Sequence, residues 1–107
     1  MSIYHILMAY LVICKDSPNG SSLRKEWAKA HLDYIEGVLT DIYVAGPTST
    51  REDNEFNSSC FIYKTDDLKE AEALFYSDPY YINGVYDSYE FSKFMPAAGD
   101  WIGGKIW

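Results

Sequence analysis

The chain has 107 residues and a mass of 12.3 kDa, which suits one domain of two or three helices and four or five strands. That length excludes a multi-domain enzyme, a repeat array and a membrane bundle. Hydrophobic residues make up 48% of the chain, with ten Tyr, five Phe and three Trp, so we expect a packed core rather than disorder. Sixteen acidic and nine basic residues give a net charge of −7, which disfavours a nucleic-acid partner. We therefore expect a single domain over residues 1–107.

The two cysteines and the longest apolar run predict the cellular compartment of the protein. Cys14 and Cys60 each lie inside an apolar run, which favours two buried free thiols, and without CxxC spacing they do not form a zinc site. The longest apolar run, Ile6–Cys14, is shorter than the ~20 residues that cross a bilayer. Lys15 and Asp16 follow it where small cleavage-site residues would lie in a signal peptide. We expect a cytoplasmic protein with no metal, no organic cofactor and no membrane partner.

Apolar segments separated by turn residues predict the secondary structure. In chain order, the predicted elements are strand Ile6–Cys14, a helix capped by Ser21 or Ser22 and ending at Gly37, strand Asp41–Ala45, strand Ser59–Thr65, a helix opened by Asp67 and ended by Asp78-Pro79, a further turn Tyr80–Asn83 closed by Gly84, and strand Val85–Met95. The order strand, helix, strand, strand, helix, strand is typical of the split βαβ, ferredoxin-like pattern. We therefore expect an α+β fold, βαββαβ, with a four-stranded antiparallel sheet and both helices on one face.

The second and third strands are separated by a polar segment. Gly46 and Pro47 are predicted to form a turn that stops the second strand, and Thr48–Asn57 is predicted to be an exposed loop. Backbone N–H groups just after Pro47, with Thr48 and Ser49, are candidates to bind an anionic oxygen of a ligand.

The first and third strands are apolar on both faces, as the runs Leu7–Cys14 and Cys60–Tyr63 show. Two helices cover only one face of a sheet, so something else must cover the other face. A second copy of the chain is the economical choice, and we predict a homodimer that forms through these sheet faces. Trp101 and Trp107, in the tail, are expected to fasten it to its own subunit or to the partner.

His31 is the first candidate for chemistry. Leu23, Trp27, His31 and Ile35 recur every four residues, which places His31 on the sheet-facing stripe of the first helix. One interpretation is a buried histidine held by a single hydrogen bond. The other is an imidazole at the edge of a cleft that acts as an acid or a base, since histidine changes charge near neutral pH. The other histidine, His5, precedes the first strand and is expected to be incidental.

Asp78 is the natural carboxylate to set beside this histidine. An Asp that precedes a proline, here Pro79, is a good helix N-cap, and its lone pairs allow it to hold an imidazole as well. A His-Asp pair fixes the imidazole tautomer and raises its basicity. The sequence alone does not pair the two residues. Tyr80 is interpreted as a packing residue whose hydroxyl is a candidate ligand contact.

Several segments together resemble the YciI-like (YCII-domain) family of small bacterial proteins. They are Tyr10–Asp16, Ala30-His31-Leu32, Gly46-Pro47, Ser77-Asp78-Pro79-Tyr80 and Gly84-Val85-Tyr86. The match covers about residues 8–96 and leaves out an extension over 1–7 and an aromatic tail over 97–107. The resemblance implies a ferredoxin-like fold that dimerises through its sheets, and a His-Asp pair in a pocket that maps onto His31 and Asp78.

The resemblance also implies a class of activity. At least one family member is similar in role to a dehydrochlorinase that acts on a chlorinated hydroxyhydroquinone, and the fold resembles that of muconolactone isomerase. We therefore expect a small lyase or isomerase in which Asp78 orients His31, and His31 moves a proton on a small, oxygen-rich substrate, aromatic or a lactone. The predicted substrate contacts are Gly46, Pro47, Thr48, Ser49 and Tyr80. The alternatives are a non-catalytic dimer that binds a small metabolite or a protein partner, and a purely structural pair.

Overall fold

A computed structural model describes residues 8–107; His5 and the start of the predicted first strand lie outside the described residues. The strands are β1 Ala9–Asp16, β2 Ile42–Thr48, β3 Ser58–Tyr63, β4 Tyr86–Phe94, β5 Ala98–Gly99 and β6 Gly104–Lys105. The helices are α1 Gly20–Gly37, α2 Leu68–Tyr76 and α3 Pro79–Ile82, with short 3₁₀ turns at Leu39–Asp41 and Asp100–Ile102. None of these helices has the length and apolar character that crossing a membrane requires.

Strands β1 to β4 form one antiparallel sheet in the order β2-β3-β1-β4. Val12 in the central strand β1 lies opposite Phe61 of β3 on one side and Phe91 of β4 on the other. Helix α1 connects β1 to β2, and α2 and α3 connect β3 to β4. In both cases the two connected strands are not adjacent in the sheet, as the split βαβ pattern requires. The predicted α+β, ferredoxin-like fold is confirmed.

The core lies between one face of this sheet and the helices. Phe75 of α2 is fully buried at its centre, and six other aromatic rings have centroids within 6 Å of its ring. Burial of one such side chain contributes roughly 1.5–3 kcal/mol. From the sheet, Val12 and Phe61 pack into the same cluster, and from α1, Trp27 and Ile35 pack against it. Both main helices therefore cover the same face, as predicted.

The opposite face of the sheet is apolar too. Leu11 and Ile62 lie opposite each other in the β1–β3 pair, as do Ile13 and Cys60, and all four alternate with core residues. Ile13 is 50% exposed. We call this the open face, because α1, α2 and α3 all lie on the other side of the sheet.

The C-terminal tail forms a β5–β6 hairpin beside the open face. A groove of about 520 Å³ runs between the hairpin and the sheet, and apolar side chains that include Val44, Ile62 and Phe94 line it. Trp101 and Trp107 are 84% and 71% exposed. Most of each residue is open to solvent, although Trp101 lines this groove, so the expectation that the two tryptophans fasten the tail to their own subunit or to a partner stays a prediction.

The start of α1 also differs from the prediction. The helix begins at Gly20 with Asn19 as its N-cap, and not at Ser21 or Ser22. A Cβ at Gly20 would lie 2.6 Å from the side chain of Asp16, so glycine lets the helix start directly against the end of β1. Ser22 instead donates a hydrogen bond to the carbonyl of Asn19.

Gly46 and Pro47 do not form a turn, which corrects the sequence-based expectation. Both lie inside β2, where they pair with Cys60 and Ser59 of β3. β2 is an edge strand. A proline is tolerated at an edge because its missing N–H can fall on the side that has no neighbouring strand. The strand therefore continues through the Gly-Pro pair to Thr48.

Both cysteines are free thiols, as predicted. Cys14 is fully buried and its thiol donates a hydrogen bond to the carbonyl of Ser59. Burial raises the pKa of Cys14 to about 12 and also raises the pKa of the half-buried Cys60. Cys14 therefore stays protonated and packs as a small hydrophobic residue.

The close approach at Gly20 can be tested against a second glycine of the same helix. Gly20→Ala places a methyl group 2.6 Å from Asp16, so we expect the free energy of unfolding in urea to fall by about 1–3 kcal/mol. Gly37→Ala meets no atom within 4 Å and should leave this free energy unchanged or raise it by up to about 1 kcal/mol. Equal effects of the two substitutions would contradict the constraint at Gly20.

Candidate active site

Helices α1 and α3 bring His31 and Asp78 together, although the two residues lie 47 positions apart. Nδ1 of His31 is 2.7 Å from Oδ1 of Asp78. The side chain of His31 is 14% exposed and that of Asp78 is buried. A carboxylate accepts hydrogen bonds, so we expect Nδ1 to carry the hydrogen and Nε2 to be the nitrogen that is free to accept one.

Asp78 caps α3 at the same time. Its Oδ1 accepts a second hydrogen bond, from the backbone N–H of Tyr80 at 2.9 Å, and Pro79 follows at the first helical position. Asp78 therefore caps α3 and binds His31 at the same time, as the sequence allowed, and one oxygen, Oδ1, takes part in both hydrogen bonds. Oδ2 of Asp78 is buried and has no hydrogen-bond partner among the described residues. An unpaired buried oxygen costs stability, so this arrangement is held at some expense to the fold.

Tyr80 lies flat against His31. Their ring centroids are 3.8 Å apart and their planes differ by 1°. The Tyr80 hydroxyl donates a hydrogen bond of 3.0 Å to the carbonyl of Arg24. Burial raises the pKa of Tyr80, so the hydroxyl stays protonated and keeps this bond. The imidazole is therefore fixed by Asp78 at one nitrogen and by the Tyr80 ring on one face.

Arg24 lies beside Tyr80, with its guanidinium carbon 5.6 Å from the centre of the Tyr80 ring. Its Nε and Nη2 each bind an oxygen of Asp16 at 2.8 Å. Nη2 also donates to the carbonyl of Ser58 and to the hydroxyl of Ser59, both at 2.9 Å. Burial acts to lower the pKa of Arg24, but the hydrogen bond and charge of Asp16 raise it overall. The guanidinium is thus charged and held in one position.

The side chains of Arg24, His31 and Tyr80 line a cavity of about 410 Å³, a size typical of small-ligand sites. The polar residues of its lining are Arg24, Lys25, His31, Ser59 and Tyr80. Apolar side chains complete much of the wall, among them Ala28, Leu32 and Ile35 of α1 and Phe61 of β3. The cavity therefore combines an apolar surface with a few fixed polar groups.

Four of the predicted site residues line this cavity: His31, Gly46, Pro47 and Tyr80. Asp78 lies behind His31 and holds it. Their roles toward a ligand stay predictions.

The other two predicted contacts, Thr48 and Ser49, lie outside the cavity lining. The Thr48 hydroxyl bonds the hydroxyl of Ser58, and its carbonyl accepts from the backbone N–H of Asn57. Ser49 donates to the carbonyl of Glu55. Because β2 runs straight through the Gly-Pro pair, these residues close the base of the polar loop and do not turn into the cavity.

Sequence reasoning missed three polar residues of the cavity: Arg24, Lys25 and Ser59. A signal for Arg24 was present, because it precedes His31 by seven residues, two helical turns, and so shares its face of α1. Ser59 had no such signal, since only the pairing of β3 with β2 and β1 brings it to the site.

Within residues 8–107, no three His, Cys, Asp or Glu side chains are grouped as a metal site would need. The expectations that no metal and no organic cofactor take part stay predictions.

Solved structures show what the fold is similar to. The 5-chloro-2-hydroxyhydroquinone dehydrochlorinase TftG of Burkholderia phenoliruptrix, solved with 2,5-dihydroxybenzoquinone, aligns with a TM-score of 0.71 and 24% identity, covering 86% of this chain and 96% of that one. A NIPSNAP family protein of Agrobacterium tumefaciens aligns with a TM-score of 0.54 and 12% identity, covering 88% and 91%. At such identities the likeness establishes the fold alone. No curated protein matches the chain by sequence.

The family is established by a sequence model. The model of the YCII-related domain matches residues 8–95, which include the four-stranded sheet, all three helices and both residues of the His-Asp pair. The β5–β6 hairpin lies beyond the match. The resemblance read from the sequence is therefore confirmed: the chain belongs to the YCII-related domain family.

Proposed function

We propose that this protein is a cofactor-independent lyase or isomerase in which His31 moves a proton on a small, oxygen-rich substrate and Asp78 orients His31. The observation that carries the proposal is the 2.7 Å contact between Nδ1 of His31 and Oδ1 of Asp78 at the wall of a 410 Å³ cavity. The name of the similar dehydrochlorinase, whose structure holds a dihydroxybenzoquinone, supports a hydroxylated ring as the substrate.

The proposed chemistry needs one group that both accepts and returns a proton. For a chlorinated hydroquinone, Nε2 of His31 takes a proton from a ring hydroxyl and returns it to the carbon that bears chlorine. It then accepts the second hydroxyl proton as the C–Cl bond breaks and chloride leaves. The ring is oxidised to a quinone and chlorine leaves as chloride, so no external oxidant is needed. For an isomerase, the first transfer alone moves a double bond.

The surroundings of the pair support this role. Gly46, Pro47 and Tyr80 line the cavity beside His31 and are the proposed ligand contacts. The Tyr80 ring keeps the imidazole plane fixed, so that Nε2 needs no reorientation between accepting and returning the proton.

Turnover by histidine variants tests the proposal. With 5-chloro-2-hydroxyhydroquinone or a lactone from a substrate panel, His31→Ala should lower kcat by about 10²–10⁴-fold, the usual contribution of a positioned acid-base group. Asp78→Asn keeps an oxygen to cap α3 but no longer fixes the tautomer, so it should lower kcat as well.

His5→Ala, which removes the other histidine of the chain, serves as the control and should leave kcat unchanged. Chloride release and the absorbance of the quinone product measure turnover of the chlorinated substrate, and proton NMR of the product measures turnover of a lactone. Equal turnover in wild type and His31→Ala would contradict the proposal. Binding of 2,5-dihydroxybenzoquinone with no turnover of any panel member would favour a non-catalytic binding protein instead.

The tautomer of His31 is a separate prediction. In ¹⁵N NMR spectra of the neutral side chain, we expect Nδ1 to be protonated and Nε2 to be free, because the carboxylate of Asp78 only accepts. Asp78→Asn presents an amide that can donate or accept, so the spectrum of His31 should change while that of His5 stays constant. An unchanged His31 spectrum would reduce Asp78 to a helix cap.

We also propose that two copies of the chain pair through the open face. The face carries Leu11, Ile13, Cys60 and Ile62 at its centre, and Ile13 is half exposed. An antiparallel sheet with one solvated face normally carries polar residues there, so an apolar open face indicates a covering partner. The exposed Trp101 extends the same apolar surface.

Light scattering on a sizing column tests the pairing. At micromolar concentration we expect a mass of twice 12.3 kDa. Ile13→Asp puts a charge at the centre of the open face and should yield a monomer. Leu68→Asp, at an exposed leucine at the start of α2, is the control and should stay dimeric. A monomeric wild type would contradict the dimer.

For the cellular setting, we propose the cytoplasm, because both cysteines are free thiols and that compartment keeps thiols reduced. The net charge of −7 makes nucleic acid an unsuitable partner. The proposed partners are a small-molecule ligand and a second copy of the chain.

A further inference from the structure

The side chains that line the cavity differ in charge from the acidic chain as a whole. The chain as a whole carries a net charge of −7. The cavity lining nevertheless includes Arg24, Lys25 and His31, and no Asp or Glu of residues 8–107 belongs to it. Asp16 and Asp78 lie behind this lining, where each is already bonded to one of these basic side chains. A ligand in the cavity therefore faces donors and cations.

Lys25 supplies the uncompensated charge. Its side chain is exposed at the cavity, and none of residues 8–107 forms an ion pair with it. Lys29, one turn further along α1, is instead paired with Asp33 at 2.7 Å and does not line the cavity. The same helix thus carries one lysine that is free to meet a ligand and one that is not.

Arg24 supplies a fixed donor. Asp16 balances its charge, and its bonds to Asp16, Ser58 and Ser59 use Nε and Nη2. Nη1 has no hydrogen-bond partner among the described residues, and it is not one of the buried unpaired atoms. A guanidinium held by a carboxylate in this way donates in a fixed direction and loses little conformational entropy when it binds a ligand.

We propose that the cavity selects a planar, anionic ligand, such as an ionised hydroxyquinone or a hydroxylated arenecarboxylate, which Lys25 attracts at the mouth and Arg24 binds through Nη1. This inference rests on the proposed function and names the charge class of its substrate. The same groups oppose the negative charge that forms on a ligand oxygen when His31 removes a proton.

The two lysines provide a matched experiment. The probes are 2,5-dihydroxybenzoate, an anion at neutral pH, and 2,5-dihydroxybenzamide, its neutral counterpart of nearly the same shape. Their Kd values are measured by calorimetry on wild type, Lys25→Glu and Lys29→Glu. Both substitutions change the net charge equally on exposed positions of α1, so neither is expected to unfold the protein.

We expect the wild type to bind the carboxylate more tightly than the amide. Lys25→Glu should weaken carboxylate binding by roughly 3- to 10-fold, as expected for one or two exposed charge interactions, and Lys29→Glu should change it less than about 2-fold. Raising NaCl from 50 to 500 mM should weaken binding of the carboxylate but not of the amide.

Equal affinity for the two probes, or equal effects of the two lysine substitutions, would overturn the inference, as would the absence of binding by both probes. Because binding is measured without turnover, the two proposals fail separately. Charge preference without turnover of any substrate would leave this inference standing and overturn the enzyme. Turnover of a substrate without a preference for the anionic probe would support the enzyme and overturn this inference.

Discussion

A single carboxylate oxygen joins the fold to the site. Oδ1 of Asp78 accepts the backbone N–H of Tyr80 and the Nδ1–H of His31. The first bond starts α3 and so places the Tyr80 ring, while the second holds the imidazole that projects from α1. The Tyr80 ring then stacks on His31, and its hydroxyl returns to the backbone of Arg24. One acceptor thereby fixes the relative positions of two helices and of the group that faces the cavity.

The His-Asp pair leaves one buried oxygen, Oδ2 of Asp78, without a hydrogen-bond partner among the described residues. Such a group costs about 1–3 kcal/mol relative to a satisfied one. Costs of this kind are characteristic of positions retained for chemistry, which is why they support a functional interpretation of the pair.

The order of elements could be predicted from sequence because its signals are local. Apolar runs, helical spacing and turn residues each act within about ten positions, and they identified the four strands of the main sheet, both main helices and the stripe that carries His31, but not the short β5–β6 hairpin. The error at Gly46 and Pro47 has the same origin. Their turn preference is local, whereas the edge position that lets a strand tolerate proline is set by strand order across the sheet.

The site depends on longer-range packing, so less of it could be predicted. The 47-residue separation of His31 and Asp78 has no sequence periodicity, and only the family resemblance suggested the pair. The Asp16–Arg24 pair was missed although only eight residues separate its members, because it forms where a strand reverses into a helix. The apolar periodicities that predict strands and helices apply within one element and do not extend across such a junction.

The tight junction at Gly20 has a consequence for how the cavity can vary. The missing side chain at Gly20 lets Asp16 lie against the start of α1, and Asp16 in turn holds the guanidinium of Arg24. Arg24 then sets one wall of the cavity and receives the Tyr80 hydroxyl at its carbonyl. A side chain at Gly20 would displace Asp16 and with it the guanidinium of Arg24, so a substitution at this turn changes the cavity wall although Gly20 is not part of that wall.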